Sequence, residues 1–516
     1  MTNQTKILSK SYRLPQWSVL VAVVLFLMGL IHLESTPPLW WDEGWTLCVA
    51  RHWVELGHYG CLLAGQPAPA TLSAHFPVVT SIALSFRLFG VGIWQARIVG
   101  LLFTTAALLL LYHLTDRLYN RPIAIATLVM VLLLPAKWQI HPLFIGRQVL
   151  GEMPALFFLL AGYACFLRAP RKPWLFMPLT LCFWGVALMT KLQVGPFWAV
   201  SLAVPLVIAA LKRQWRLAGL LTASGLGSWV VYQLLRGVQQ FLLSGHTLPG
   251  SPISGLNEAL SLVPVMSVRL AALRFVLIFG LPAVLGLAYA AWQWFRAQPK
   301  PQLDELQLVR LMLLSLAGSW LAWFTFLSVG WDRYAFPALF LASPFVAALL
   351  YDLTGGFKLR SGLEMALSCF KTRRFCRPPL KVVGAAFLLG LMLLLAVRSL
   401  YLFYRSDSHI LVVQVAHFLN TSTPPEALIE TYDSELFFLL DRPYHYPPAQ
   451  LHVELIRRAF LDPQVLAEYD PLAANPDYLV VGPFSAWVRL YEPLLTTGVY
   501  RPLQTFGPYQ IYERVR

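Results

Sequence analysis

Hydrophobic and polar positions along this chain alternate in long blocks rather than in short periods. Apolar runs recur at 17–36, 98–115, 122–136, 153–167, 174–190, 195–211, 217–235, 270–292, 308–328, 334–352 and 382–403, with short polar segments between them. Runs of that length are what a bilayer core about 30 Å thick requires of a helix, so the pattern predicts about eleven spanning helices. The first run follows Lys6, Lys10 and Arg13, lacks a small-residue cleavage site and leads into Pro37, Pro38 and a Trp pair, so it reads as a retained signal anchor. The stretch 75–92 is apolar but short and carries Arg87, which predicts an interfacial or re-entrant helix rather than a crossing.

After residue 403 the pattern changes to a Pro-rich, polar and only intermittently apolar sequence. An amphipathic stretch at 408–419 and a helix at 451–461 are predicted, with strands at 427–432, 478–482 and 509–515. The expected architecture is a polytopic α-helical membrane protein with two parts. Residues 1–403 form the membrane part, whose first outer loop covers 37–97, and residues 404–516 form a small soluble α/β domain.

Composition supports the membrane reading and changes how the charge is understood. Hydrophobic residues make up 57% of the 516 and charged residues 13%, where a soluble domain has about 25%. The net charge of +15 would suggest nucleic acid if the basic residues formed one face. They lie instead in short segments between apolar runs, such as Arg168, Arg171 and Lys172, then Lys212, Arg213 and Arg216, then Lys371, Arg373, Arg374 and Arg377. That is the positive-inside pattern. It excludes a nucleic-acid partner and places the protein in a cell membrane as a multi-pass chain, with the N-terminus cytoplasmic and 404–516 extracytoplasmic. The six Cys show no metal spacing. Cys48 and Cys61 share the first outer loop, as a disulfide or as two thiols, and Cys165 and Cys182 read as packing residues.

Ionisable groups beside a membrane are expensive unless paired or hydrated, which makes them functional candidates. Trp40-Trp41-Asp42-Glu43-Gly44 follows the first helix and sets two carboxylates beside two aromatics. The structural reading of this motif is an aromatic belt with Asp42 capping the helix behind it. A second cluster holds Lys137, His141, Arg147 and Glu152, in which Arg147 and Glu152 pair across a loop or serve a site. Lys191 ends one helix and Asp332-Arg333 begin another, as a snorkelling lysine and a loop ion pair or as site residues. His75 and His246 fall on the same predicted face. Together these residues match glycosyl transfer from a lipid phosphate: cations hold and stabilise the phosphate, and a carboxylate takes the acceptor proton.

The same residues carry a resemblance. W-D-E-G (41–44), H-F-P (75–77), S-F-R-L-F-G (85–90), A-R-I-V-G (96–100), R-x4-E-M-P (147–154), L-M-T-K (188–191) and D-R-Y-x-x-P-A (332–338) occur in an order that resembles the GT-C superfamily of membrane glycosyltransferases. The likeness spans about residues 35–345 and is to the branch holding protein O-mannosyltransferases and the lipid A aminoarabinose transferase. It implies an inverting transferase that takes a sugar from a polyprenyl-phosphate donor, among membrane lipids, to a lipid, glycan or protein acceptor on the outer face. It further implies Asp42 as the base or an acceptor-binding carboxylate, with Glu43 and Glu152 as further catalytic carboxylates, and Arg147, Lys191, Arg333 and His75 at the donor phosphate. His75 stands where the aminoarabinose transferase has a Lys before paired prolines, and Glu152 where relatives often have Asp. Asp42 and Glu43 are also candidate ligands for Mg2+ or Mn2+, although two adjacent carboxylates are few ligands for such an ion. The rival readings are a transporter or lipid flippase and an inactive scaffold of the same fold. Transport would place charges along a path through the membrane, whereas here they gather at one face.

Overall fold

The computed structural model describes residues 16–135, 140–242, 262–296, 304–357, 380–404 and 411–515. Lys137, His246, Cys369 and Cys376 lie outside these residues.

Each of the eleven predicted apolar runs falls on a helix. These are α1 (Gln16–Leu30), α4 (Ile93–Leu118), α5 (Arg121–Leu132), α7 (Glu152–Phe166), α8 (Pro173–Thr190), α9 (Val194–Leu211) and α10 (Trp215–Leu242). They continue as α11–α12 (Met266–Phe275 and Leu281–Arg296, joined by a π-turn at Val276–Gly280), α13 (Glu305–Phe326), α14 (Asp332–Leu353) and α15 (Leu380–Tyr404). Seven spans among the described residues are long and apolar enough to cross a bilayer: α4, α8, α9, α10, α11–α12, α13 and α14. In α1, α5, α7 and α15 the described apolar stretch is shorter. Helices suit this setting because they satisfy every backbone hydrogen bond within one segment. α14 is the central helix; it packs on α5, α12 and α13 and is buried along most of its length despite Pro337 and Pro344.

Between α1 and α4 lies the predicted loop. It folds as α2 (Trp41–Glu55), a hairpin of β1 (Gly60–Leu63) and β2 (Gln66–Pro69), and α3 (Phe76–Phe89), the short apolar helix expected there. Cys48 and Cys61 form a disulfide that ties α2 to β1, their Cα atoms 5.6 Å apart.

The C-terminal region contains α16 (Leu411–Ser422), β3 (Ile429–Thr431), β4 (Tyr444–His445), α17 (Ala449–Phe460), β5 (Tyr478–Val481), the short helices α18 (Pro483–Trp487) and α19 (Glu492–Leu495), β6 (Tyr500–Phe506) and β7 (Tyr509–Arg514). The sheet order is β4-β3-β5-β7-β6. β3 is parallel to β4 and β5, and β7 is antiparallel to β5 and β6. The sequence pattern missed both edge strands. β4 is two residues, directly after Pro443, and β6 is exposed and irregular at Pro502, as edge strands that carry proline are.

The two non-spanning parts share one apolar core. Trp41, Trp45, Leu47 and Val79 of the first loop pack with Val415, Ile429, Phe437, Leu479 and Ile511 of the C-terminal region. α2 presents positions 41, 44, 45 and 48 on one face, the three- and four-residue spacing of a helical stripe. On that face the Trp41 indole donates to the Tyr432 carbonyl (2.7 Å) and its ring stacks on His452 (4.8 Å) and Phe484 (4.4 Å). Trp45 meets Phe437 and Tyr446 edge-on, each at 5.0 Å. Gly44 lies against the Ser434–Glu435 backbone so closely that a Cβ would overlap it. A glycine is required there by space rather than by backbone angle.

Candidate active site

The Trp-Asp-Glu-Gly motif sends each of its side chains in a different direction. Trp41 and Gly44 seat the C-terminal region, as above. Glu43 turns inward and is fully buried, at 0% exposure, against an equally buried Arg97 from α4. The pairing is bidentate, with Arg97 Nε 3.1 Å from Oε1 and Nη2 2.8 Å from Oε2. The backbone amides of Trp40 (3.1 Å) and Val149 (3.0 Å) donate to the same carboxylate, so four donors surround it. The bond from Trp40 is one half of a capping box: Glu43, three residues into the helix, satisfies the amide of the capping position. Arg97 also donates to the carbonyls of Leu33 (3.1 Å), Glu34 (3.2 Å) and Pro37 (2.7 Å). One arginine thus fixes both the chain leaving α1 and the start of α2.

Asp42 is left facing outward. The expectation that it caps a helix beginning at Glu43 is corrected: α2 begins at Trp41 with Trp40 at the capping position, and the Asp42 side chain reaches across to α14. There it forms an ion pair with Arg333, and the Trp40 indole donates to the same carboxylate at 2.8 Å. Burial pushes the Asp42 carboxyl up, but Arg333, Trp40 and Lys191 outweigh it and hold the group below the ordinary aspartate value. The Asp42 side chain keeps 27% exposure and opens into a cavity of about 160 Å³.

That cavity gathers residues from five parts of the chain: Asp42 of α2, His75 before α3, Glu152 at the start of α7, Lys191 after α8, and Arg333 and Tyr334 of α14. Glu152 and Lys191 form an ion pair, so the predicted loop pair of Arg147 with Glu152 is not formed. Gly151 makes this approach feasible; its Cβ position lies 3.1 Å from the Thr190 carbonyl. Arg333, expected as the loop partner of its neighbour Asp332, is instead committed to Asp42. Lys191 and Arg333 both sit over the Tyr334 ring, at 5.6 and 5.3 Å from its centroid. Burial pulls the Lys191 ammonium down, and Arg333 opposes its charge, so that Glu152 does not fully restore it. His75 is pulled down to about 4 by burial and by Lys191 and is therefore neutral at pH 7.

Two sequence candidates are not brought to this cavity. Arg147 is 2% exposed and donates to the carbonyls of Met28 (3.0 Å) and Thr36 (3.3 Å), near the end of α1. Cations are favoured there, where helix carbonyls lack partners. Glu43 is consumed by Arg97. The Asp42 and Glu43 carboxylates, the sequence's candidate cation ligands, pair with different arginines, Arg333 and Arg97. Among the described residues no three His, Cys, Asp or Glu converge as metal ligands. His141, from the same sequence cluster as Arg147, caps the four-residue helix α6 (Pro142–Ile145) through the Leu143 amide at 3.3 Å. The motif A-R-I-V-G holds Arg97 but does not by itself show its partner. Its signal was a charge at the start of an otherwise apolar spanning helix, where a partner is demanded. The Trp40 indole and the Tyr334 ring carried no such signal.

Residues 76–234 match the family model described as dolichyl-phosphate-mannose-protein mannosyltransferase. No curated protein matches by sequence. Among solved structures, ArnT from Cupriavidus metallidurans bound to undecaprenyl phosphate is similar at TM-score 0.63 and 15% identity, over 97% of each chain. The archaeal oligosaccharyltransferase AglB from Archaeoglobus fulgidus, in complex with an inhibitory peptide and a dolichol-phosphate, is similar at TM-score 0.52 and 12% identity, over 97% of this chain and 74% of that one. The order of helices, the folded first loop and the sheet-containing C-terminal region together give this chain a fold similar to those of ArnT and AglB.

Proposed function

We propose that the protein is an inverting membrane glycosyltransferase that takes its sugar from a polyprenyl-phosphate donor at the extracytoplasmic membrane face. The observation that carries this reading is the single cavity shared by Asp42, Glu152, Lys191, Arg333 and His75. Its charges form two ion pairs, Asp42 with Arg333 and Glu152 with Lys191. A donor phosphate entering the cavity competes with the carboxylates for both cations. Arg333 offers a planar fork suited to two phosphate oxygens, and Lys191 a point charge. His75, held neutral, supplies a hydrogen bond rather than a charge. Similar solved structures hold undecaprenyl phosphate or a dolichol-phosphate, which supports a lipid phosphate as the anion here.

As Arg333 turns to the phosphate, Asp42 becomes available to an acceptor hydroxyl. The hydroxyl oxygen bonds to the anomeric carbon from the side opposite the phosphate, and its proton passes to Asp42. The bond from the anomeric carbon to the phosphate oxygen breaks, and its electron pair leaves with the polyprenyl phosphate. Lys191 and Arg333 stabilise the charge that grows on the leaving oxygen, which is the kind of term that lowers a barrier most. Glu152 keeps Lys191 in place. Arg147 and the Glu43–Arg97 pair hold the frame. No step calls for a metal ion.

The test compares envelope lipids, glycans and proteins, by mass spectrometry, from strains carrying the wild-type gene, no gene, or Asp42→Asn. The reading expects one glycosylated species to vanish in both altered strains while the Asp42→Asn protein remains at normal abundance. If that species persists with Asp42→Asn, Asp42 is not the base; if no species changes on deletion, the transferase reading fails.

A further inference from the structure

A second groove, of about 560 Å³, lies in the C-terminal region between α17 and the short helices α18 and α19. Leu455, Arg458, Trp487, Arg489, Glu492 and Thr496 line it. Trp487 is 49% exposed, a large indole left half uncovered. Arg458 is fixed in the groove wall by donating to the Val488 carbonyl at 2.8 Å. Arg489 and Glu492 stand on the rim, 3.8 Å apart and well exposed.

Rings connect this groove to the active-site cavity. Trp487 lies 5.9 Å from Phe460, Phe460 lies 5.9 Å from Trp331, and the Trp331 ring carries the Arg333 guanidinium 5.2 Å from its centroid. On the other side Trp487 meets Phe484 at 5.6 Å, and Phe484 stacks on Trp41, the residue beside Asp42. The groove and the cavity therefore lie two ring-to-ring steps apart.

We propose that this groove binds the non-reacting end of a saccharide acceptor. The inference rests on the transferase reading above and gives its acceptor a chemical class. A sugar ring has an apolar C–H face and an edge of hydroxyls that both donate and accept. The groove offers a matching surface: one indole plane, the donors Arg458 and Arg489, the acceptor Glu492 and the hydroxyl of Thr496. An acyl chain would call for walls without charges. An anionic polymer would call for cations without Glu492 among them. The short span to Arg333 allows one acceptor to lie across the groove while its terminal hydroxyl reaches Asp42.

The test uses the purified full chain in detergent, labelled and applied to an array of defined oligosaccharides and peptides. Wild type, Trp487→Ala and Trp487→Phe are compared. The proposal expects a subset of oligosaccharides to be bound, with affinity reduced about tenfold by Trp487→Ala, a loss comparable to one aromatic stacking contact. Trp487→Phe should bind between the two. Saccharide binding unchanged by Trp487→Ala overturns the proposal, as does binding of peptides alone. It is equally overturned if no saccharide binds and Trp487→Ala lowers only the affinity for phosphatidylglycerol vesicles, which would make Trp487 a membrane-interface residue. If saccharides bind as predicted but Asp42→Asn leaves the envelope unchanged, the groove stands and the catalytic reading falls.

Discussion

Replacing Arg97 by Met asks whether the Glu43–Arg97 pair holds α2, and with it Asp42, in place. Methionine keeps much of the volume and removes all five hydrogen bonds that Arg97 makes, two to Glu43 and one each to Leu33, Glu34 and Pro37. Glu43 would then be a fully buried carboxylate with the two amide donors of Trp40 and Val149. Breaking a buried ion pair from one side costs about 3–5 kcal/mol, because the remaining charge stays desolvated. Glu43→Gln alone leaves Arg97 with its three carbonyls and should cost less. In the double variant the stranded charge is gone, so its cost should fall below the sum of the singles by about 1–3 kcal/mol. The assay is denaturant unfolding of detergent-solubilised protein followed by tryptophan fluorescence, to which all 18 Trp, Trp41 and Trp45 among them, contribute. Turnover should fall in Arg97→Met although Asp42 is intact, since α2 loses its anchor. Additive single effects, or an Arg97→Met cost under about 1 kcal/mol, would refute the idea that this pair sets the position of Asp42.

Two further perturbations probe the seat of the C-terminal region. Gly44→Ala places a methyl group against the Ser434–Glu435 backbone and should loosen that region, seen as faster proteolysis after residue 404 in wild-type-like membrane yields; unchanged protection would mean that the contact is not tight. Glu435 is pushed up to about 8 by burial and by the nearby Asp433, well above the ordinary glutamate value of 4.5. The folded state then holds more protons than the unfolded state between those two pH values, so stability falls as pH rises through that window. Glu435→Gln should therefore stabilise the protein more at pH 8 than at pH 5, measured as the change in unfolding midpoint, and a pH-independent difference would contradict the assignment.

Much of the helical frame was legible because the bilayer demands long apolar runs. Every run read from the sequence coincides with a helix, and the short stretch with Arg87 folds as α3. The direction of each charged side chain was not legible, because it depends on helix rotation and on partners far along the chain. Asp42 meets Arg333 across 291 positions, and neighbour-based pairings such as Arg147 with Glu152 and Asp332 with Arg333 failed for the same reason. Adjacent Asp42 and Glu43 looked like one acidic site, yet successive helix positions are about 100° apart, so they serve different partners. The close approach of Gly44 to residues 434–435 was equally invisible, since glycine in a sequence does not say what it makes room for.

The central claim is that Lys191 and Arg333 hold a lipid phosphate beside Asp42, and binding of undecaprenyl phosphate to the purified protein tests it most directly. Calorimetry on wild type, Lys191→Ala, Arg333→Ala and Arg147→Ala separates the cavity cations from a buried arginine outside it. The account predicts that each cavity variant loses affinity by at least tenfold, as expected for removal of a charge-assisted hydrogen bond of about 1.5–3 kcal/mol, while folded Arg147→Ala binds as wild type. Equal affinity across all four proteins, or a loss confined to Arg147→Ala, would contradict it.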